Sequence, residues 1–143
     1  MERETAARRL SLPRRVHEQM LAHARAALPF EAVGLLGGSG SLVSRGIPLP
    51  NALGEKHFLA DPYAQYRAMR DLQSAGMEVL AVYHSHPGGG VDLSDEDLRF
   101  ARRMPWLQVV IALDRPDDPA IDVAVWVVSP SQAREAALDL LDS

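Results

Sequence analysis

Apolar residues between positions 16 and 28 recur at three- and four-residue intervals, which predicts an amphipathic helix that Pro29 ends. A second helix is predicted to begin at Asp61-Pro62, where a capping aspartate precedes a proline in the first helical position, and to end near Ser74. Similar signals predict two further helices, over residues 94–105 and 131–141.

Short apolar runs between these helices are typical of buried β-strands. They fall at residues 32–36, 41–48, 57–59, 78–85, 107–113 and 121–128. Gly37-Gly38-Ser39-Gly40 predicts a tight hairpin turn between the first two. The order of elements predicts an α+β fold in which helices flank a mixed, largely antiparallel sheet. Residues 1–13 are predicted to form an N-terminal arm, and residues 14–143 a single domain.

Composition limits the classes of function. The 143 residues fit one domain with a substantial core. The absence of cysteine excludes disulfides, a thiol nucleophile and a thiolate metal site, and agrees with a cytoplasmic protein. A net charge of -4 argues against nucleic acid as the main partner. No apolar run is long enough to span a bilayer, so no membrane association is expected.

His84 and His86 stand two residues apart at the end of a predicted strand, so their side chains point to the same face. Glycines at residues 88–90 let the chain fold back, so that Asp97 can reach the same ion. Two histidines and one aspartate leave the fourth position of a tetrahedral zinc ion to water, which is typical of catalytic sites. Bound zinc lowers the pKa of that water to roughly 7 and polarises a carbonyl beside it.

Each of these residues also has an ordinary structural interpretation. A lone His-x-His pair is more often two exposed or hydrogen-bonded imidazoles. Ser94 and Asp97 are spaced like a helix capping box, and Asp95 and Glu96 suit a helix N-terminus electrostatically. A glycine loop before a helix also suggests phosphate binding, but this loop contains no lysine. The combination, rather than any single residue, favours a metal site.

The combined pattern resembles a known family. His84-x-His86-Pro87, six residues, Ser94, two residues and Asp97 match the motif of the JAMM (MPN+) zinc metalloproteases at every defining position. The resemblance covers roughly residues 14–128 and implies a compact bacterial-type member with the MPN/JAMM (cytidine-deaminase-like) α+β fold.

The resemblance also implies a role for an upstream glutamate. Residues 29–37, Pro-Phe-Glu-Ala-Val-Gly-Leu-Leu-Gly, match the setting of the family's catalytic glutamate, which places it at Glu31. Taken alone, Glu31 would be interpreted as an exposed residue after a helix-ending proline. By resemblance, His84, His86 and Asp97 bind Zn²⁺, Glu31 is the general base, and Ser94 donates a hydrogen bond to the oxyanion.

The implied activity is zinc-dependent hydrolysis of a peptide or isopeptide bond. Compact relatives act on the C-terminal tails of ubiquitin-like sulfur-carrier proteins or their conjugates, and the apolar first helix is compatible with a homodimer. The chain is too short for the insertions with which deubiquitinating relatives bind ubiquitin. The loop at residues 88–93 lacks the prolines of many relatives and is expected to be mobile until substrate binds.

Two alternatives remain. An MPN-type scaffold or dimerisation module would use the fold without catalysis. An iron oxygenase with two histidines and one carboxylate ranks last, because the sequence shows no β-barrel pattern and no distal second histidine. His17 and His23 are predicted to face solvent, while Trp106 and Trp126 are predicted to anchor the core or an interface.

Overall fold

The computed structural model describes residues 8–51, 60–115, 117–118 and 120–142. Within these ranges the chain forms seven strands and three helices. In chain order they are β1 (Arg9–Pro13), α1 (Arg14–Ala27), β2 (Val33–Ser39), β3 (Leu42–Leu49), α2 (Pro62–Ser74), β4 (Glu78–Pro87), α3 (Asp95–Ala101), β5 (Leu107–Leu113), β6 (Val123–Val128) and β7 (Ala133–Leu141). None of the described helices is long and apolar enough to cross a membrane.

The strands form one mixed sheet in the order β1-β3-β2-β4-β5-β6-β7, which closes because β7 pairs in parallel with β1. Among the described strands, four pairings are antiparallel and three are parallel. The junction of β1 with β3 rests on a single pair, Ser11 with Leu42. The prediction of an α+β fold with a mixed, helix-flanked sheet is confirmed, but the sequence pattern did not indicate that the sheet closes.

Successive strand residues point to opposite faces of the sheet, so the helices cover two separate clusters of apolar side chains. Leu36 and Tyr83 pack in the cluster that contains Val16, Met20, Leu21 and Ala24 of α1. Leu35 and Val82 pack with Ala68 of α2 on the opposite face. His84 and His86 are two and four residues after Val82 on the same strand, so they lie on the same face as Val82, the one that α2 covers.

The prediction of an N-terminal arm is wrong for Arg9–Pro13, which form β1. Leu10 and Leu12 are fully buried, and the strand is in register with β7 over five residue pairs. Its outer side is held by Arg9, whose Nε donates to Asp139 Oδ2 at 2.8 Å. A segment this short shows too little alternation for its sequence to distinguish a strand from an arm; residues 1–7 lie outside the described part of the chain.

The predicted helix at residues 131–141 is also wrong, because residues 133–141 form β7. Alanine, glutamate, arginine and leucine all favour helix, but this preference amounts to tenths of a kcal/mol per residue, and pairing can override it. The segment pairs antiparallel with β6 and parallel with β1, and Ala136 and Leu138 pack against the α1 cluster.

The remaining helices and strands match the predictions to within a few residues, except at two places. The predicted hairpin turn lies later, because β2 continues to Ser39 through an irregularity at Gly37/Gly38, and the turn falls at Gly40, where φ is +63°. The predicted strand at residues 57–59 lies outside the described residues.

Candidate metal centre

Three of the predicted site residues converge on one point. His84 Nε2 lies 3.0 Å from His86 Nε2, and Asp97 Oδ2 lies 3.3 Å and 3.0 Å from these two nitrogens. Ligands about 2.0–2.1 Å from a tetrahedral zinc ion are separated from one another by roughly 3.3 Å. The three atoms therefore have the spacing that a single ion requires.

The end of β4 positions the two histidines. In the antiparallel pairing with β2, His84 lies opposite Val33, and in the parallel pairing with β5, His86 lies beside Ala112. The side chain of His84 is fully buried, whereas 15% of the His86 side chain is exposed. The site is thus closed towards the sheet and open to solvent on the side of His86.

Asp97 is presented by the first turn of α3, which begins with a capping box. Ser94 Oγ accepts a hydrogen bond from Asp97 N at 3.0 Å, and Asp97 Oδ2 accepts one from Ser94 N at 3.0 Å. The same Oδ2 faces both imidazoles. The capping role expected from the sequence and a ligand role are therefore compatible, and the hydroxyl proton of Ser94 is not used in the cap.

The glycine loop after β4 fixes the orientation of His86. His86 Nδ1 lies 2.8 Å from the carbonyl oxygen of Gly90, a pure acceptor, so Nδ1 carries the proton and Nε2 keeps its lone pair for a metal. Gly88 N donates to Leu113 O, and Trp126 Nε1 donates to Val91 O, each at 3.0 Å. Trp126 thus anchors this loop, and the expected mobility of the loop stays a prediction.

Glu31 lies beside this cluster because of the register between β2 and β4. Ser85 is joined twice to Ala32: its backbone N donates to Ala32 O at 3.1 Å, and its Oγ accepts from Ala32 N at 2.8 Å. Continuing this antiparallel register by one residue places Glu31 opposite His86. Glu31 is 8% exposed, and its carbonyl accepts a hydrogen bond from Asn51 Nδ2 at 2.8 Å.

Sequence reasoning missed both Ser85 and Asn51 as positioning residues. Ser85 is fully buried and points to the opposite face from the histidines between which it stands. A serine at that position was a usable signal, because a buried hydroxyl needs a partner. Nothing in the pattern around Asn51 indicated its contact with Glu31.

At Asp97 and His84, electrostatics favour the protonation states that a metal requires. Burial alone would raise the pKa of Asp97, but the hydrogen bonds from His84, His86 and the Ser94 backbone hold this pKa well below its usual range. Burial lowers the pKa of His84. Burial also opposes protonation of His86, yet the contacts with Asp97 and Gly90 and the charge of Glu31 raise its pKa above the usual value. An ionised aspartate and a neutral His84 are ready to bind a cation.

The residues present fit a divalent transition metal. Two imidazole nitrogens and one carboxylate oxygen are donors that zinc accepts, their separations match one ion, and the His86 tautomer is fixed by a neighbouring carbonyl. The same donor set also binds non-haem iron. Among the described residues, these three are the group whose possible ligand atoms all lie within 4.8 Å of one another.

A cavity of about 390 Å³ adjoins the site on the other side of Glu31. It is lined by the end of α1, the segment that leads into β2, and the end of β3, including His23, Phe30 and Leu49. A larger cavity of about 690 Å³ lies at the opposite end of β4, near Glu78 and Leu80, far from the metal ligands along the strand.

The prediction that His23 faces solvent is wrong. His23 is half-buried on α1, and its Nδ1 lies 2.7 Å from the hydroxyl of Tyr83 on β4. The two rings meet edge to face at 5.7 Å. Burial lowers the pKa of His23 and raises that of Tyr83.

Comparison with known proteins agrees with this geometry. Residues 13–128 match the family described as prokaryotic homologs of the JAB domain. A Thermus thermophilus protein named a probable TtuB-protein conjugate cleaving protease is 41% identical over 101 residues, which are 68% of each chain. The solution structure of DSY2949 from Desulfitobacterium hafniense superposes with a TM-score of 0.85 at 34% identity, covering 94% of both chains.

A more distant structure shows the same fold. AF2198, a JAB1/MPN domain protein from Archaeoglobus fulgidus, is similar with a TM-score of 0.64 at 23% identity, covering 92% of this chain and 97% of its own. The match to the family spans most of the sheet and all the residues of the candidate site. The chain belongs to the prokaryotic homologs of the JAB domain, within the JAMM/MPN proteins that its histidine, serine and aspartate spacing resembles.

Proposed function

We propose that this protein is a zinc-dependent peptidase or isopeptidase that cleaves at the C-terminal tail of a ubiquitin-like sulfur-carrier protein or its conjugates. The observation that carries the proposal is the convergence of His84, His86 and Asp97 on one point, with Glu31 opposite His86 in the strand register. A dimerisation module would not need a glutamate at that position.

Each residue has a distinct part in the proposed reaction. When bound by His84, His86 and Asp97, zinc would lower the pKa of a coordinated water and polarise the scissile carbonyl. Glu31 takes a proton from the attacking water and delivers one to the leaving nitrogen. The Ser94 hydroxyl donates a hydrogen bond to the carbonyl oxygen as negative charge develops on it.

The backbone around Glu31 suits a general base, which must be held in place through both proton transfers. On one side the Ser85 side chain fixes Ala32, and on the other Asn51 holds the Glu31 carbonyl. The low exposure of Glu31 leaves few water molecules around its carboxylate. Two hydrogen bonds to neighbouring segments thus hold the backbone at Glu31 and at the residue that follows it.

The substrate class is supported by the relative named for cleaving TtuB-protein conjugates, which is 41% identical over 101 residues. A carrier tail that ends in glycines is narrow and extended, so it can add to a sheet edge. Two places could pair with such a tail, the outer side of β3 and the segment that follows Pro87. The outer side of β3 is partly covered, because Arg15 Nη2 and Gln19 Nε2 of α1 donate to Ser44 O and Gly46 O. The segment that follows Pro87 is therefore the better place for the tail.

The test combines metal content with cleavage. The wild-type protein should contain about one zinc per chain by mass spectrometry, and His86→Ala little. The zinc-loaded protein should remove a short extension placed after the C-terminus of TtuB, and Glu31→Gln should keep the zinc but lose turnover.

Three outcomes would overturn the proposal. Iron in place of zinc would favour an oxygenase, and no metal at neutral pH would favour a scaffold. Unchanged turnover in Glu31→Gln would remove the general base from the mechanism.

A further inference from the structure

Two tyrosines and two arginines form the solvent face of α2. Tyr63 and Tyr66 are 67% and 55% exposed, and Arg67 and Arg70 are exposed as well. The guanidinium of Arg67 lies 5.7 Å from the ring centre of Tyr63, and that of Arg70 lies 5.8 Å from that of Tyr66. We call these four residues the Tyr–Arg patch.

The side chains of the patch hold one another in place. Arg70 Nη1 donates to the Tyr66 hydroxyl at 2.9 Å, in addition to the ring contact. A cation over an aromatic face is favourable even at exposed sites, though weak. Side chains that are already ordered lose less conformational freedom when a partner binds. The patch is therefore organised in advance for contact with a protein.

The patch and the candidate active site lie on the same side of the sheet. α2 packs on the face of the sheet that carries the metal cluster, and its first turn is tied to the end of β3, where Asp61 N donates to Pro50 O at 3.1 Å. Asn51 pairs with Ala60 and also holds the carbonyl of Glu31. Tyr63 thus begins a surface that is linked through Asn51 to the proposed general base.

The charge of the patch differs from that of the whole protein. The chain has a net charge of -4, whereas this face carries two arginines, and the one acidic residue of α2, Asp71, lies a turn after Arg67 at the end of the patch. Tyrosine and arginine are enriched among the residues that dominate protein–protein affinity. An acidic surface with exposed apolar side chains is the complementary partner.

We propose that the Tyr–Arg patch binds the folded body of the protein substrate, through an acidic and partly apolar surface, while the tail of that substrate lies beside Glu31. This inference rests on the proposed function and adds the surface that selects a protein over a free peptide. The patch extends about 10 Å along the helix, and an extended tail of six residues reaches roughly 20 Å. A tail of that length lets the folded body of a substrate lie away from the metal ligands while its end lies at the site.

Binding tests the patch independently of cleavage. In the Glu31→Gln background, the Kd for TtuB should rise about tenfold or more in Tyr66→Ala and in the double variant Arg67→Ala/Arg70→Ala. Tyr66→Phe keeps the ring and should retain most of the affinity. Arg134→Ala, which removes an exposed arginine from β7, is the matched control and should not change the Kd.

Ionic strength and a tail peptide provide two further binding tests of the Tyr–Arg patch. Raising the ionic strength should weaken TtuB binding to the Glu31→Gln protein but affect the double arginine variant much less, because charge attraction between exposed groups is screened. A peptide with only the last ten residues of TtuB should bind all variants equally. Equal Kd values for TtuB across the series, or no detectable binding of TtuB, would overturn the docking surface.

Cleavage assays distinguish a failure of the docking surface from a failure of the proposed function. With Glu31 intact, the patch variants should show a raised KM and an unchanged kcat on TtuB with a C-terminal extension, and normal kinetics on the tail peptide with the same extension. Failure of the wild type to cleave either substrate would remove the function but leave the binding result to decide the patch. If the variants change sedimentation of the protein alone and leave TtuB binding intact, the patch is a contact between two copies, and the inference is wrong.

Discussion

At the scale of single residues, Ser94 and Asp97 combine a structural role, capping α3, with a proposed role in the metal site. The serine oxygen accepts the hydrogen bond that starts α3, while its hydroxyl proton is available to an oxyanion. The aspartate oxygen that faces both imidazoles also accepts from the backbone of Ser94. Because the two capping bonds fix the first turn of α3, a short helix can orient a metal ligand accurately.

Ser94→Ala should separate catalysis from metal binding. Removing one oxyanion donor typically lowers kcat by about 10²–10³-fold, and losing an N-cap costs about 1 kcal/mol of stability. Steady-state kinetics on the TtuB extension substrate, with zinc measured in the same sample, should show slow turnover at full metal occupancy. Ser94→Thr keeps a hydroxyl and should retain far more activity. A threefold change or less in kcat for Ser94→Ala would contradict the assigned role.

Strand spacing predicted that the two histidines share a face, and the resemblance to the JAMM family identified the aspartate that joins them. Strand periodicity places His84 and His86 on one face, and the returning helix brings Asp97 to them. The contacts of Ser85 and Asn51 could not be predicted in this way, because they depend on the register of β4 against β2 and on where β3 ends. Periodicity gives the face of a residue, but not its partner on the next strand.

At the scale of elements, α1 meets the sheet through a titratable contact, His23 with Tyr83. Burial lowers the pKa of His23 in the folded protein relative to its usual 6.5. The unfolded chain therefore binds a proton more readily than the folded one below that pH, so the free energy of unfolding should decrease as the pH falls below 6.5. Well above 6.5 both states are neutral at this residue, and it contributes no further pH dependence.

The test is urea denaturation at several pH values between 7.5 and about 5, with EDTA present throughout so that loss of metal does not contribute. His23→Gln should show a shallower decrease in unfolding free energy than the wild type. Tyr83→Phe removes the hydroxyl but keeps the buried imidazole, so its pH dependence should remain close to that of the wild type. Identical pH profiles for His23→Gln and the wild type would show that another group is responsible.

Elements with strong local signals were predictable, and those that depend on distant partners were not. α2 has a capping aspartate and a proline at its start, and Asp61 accepts from Tyr63 N as the pattern indicates. β7 has the composition of a helix and becomes a strand only because β6 and β1 flank it. β1 is too short for its alternation to stand out, although Leu10 and Leu12 are fully buried.

At the scale of the whole molecule, β1 joins the two ends of the described chain. It pairs with β7 along its length and touches β3 at Ser11, so it closes the sheet around the cluster that packs on α1. The first strand should therefore contribute to global stability although it lies far from the metal ligands in sequence. Because β1 pairs with β7 on one side and with β3 on the other, removing its contribution would affect two strands rather than one.

Leu12→Ala tests this closure. The side chain of Leu12 is fully buried, so truncation should reduce the free energy of unfolding by about 2–5 kcal/mol. Leu140 lies on the paired strand opposite Leu12 but is 54% exposed, so Leu140→Ala should change stability by only about 0.5 kcal/mol. Urea denaturation of the zinc-loaded proteins measures both, and folded Leu12→Ala should still bind zinc, since the ligands lie on β4 and α3. A small loss in Leu12→Ala, similar to that of the control, would mean that β1 is a dispensable edge and that the sheet is stable without it.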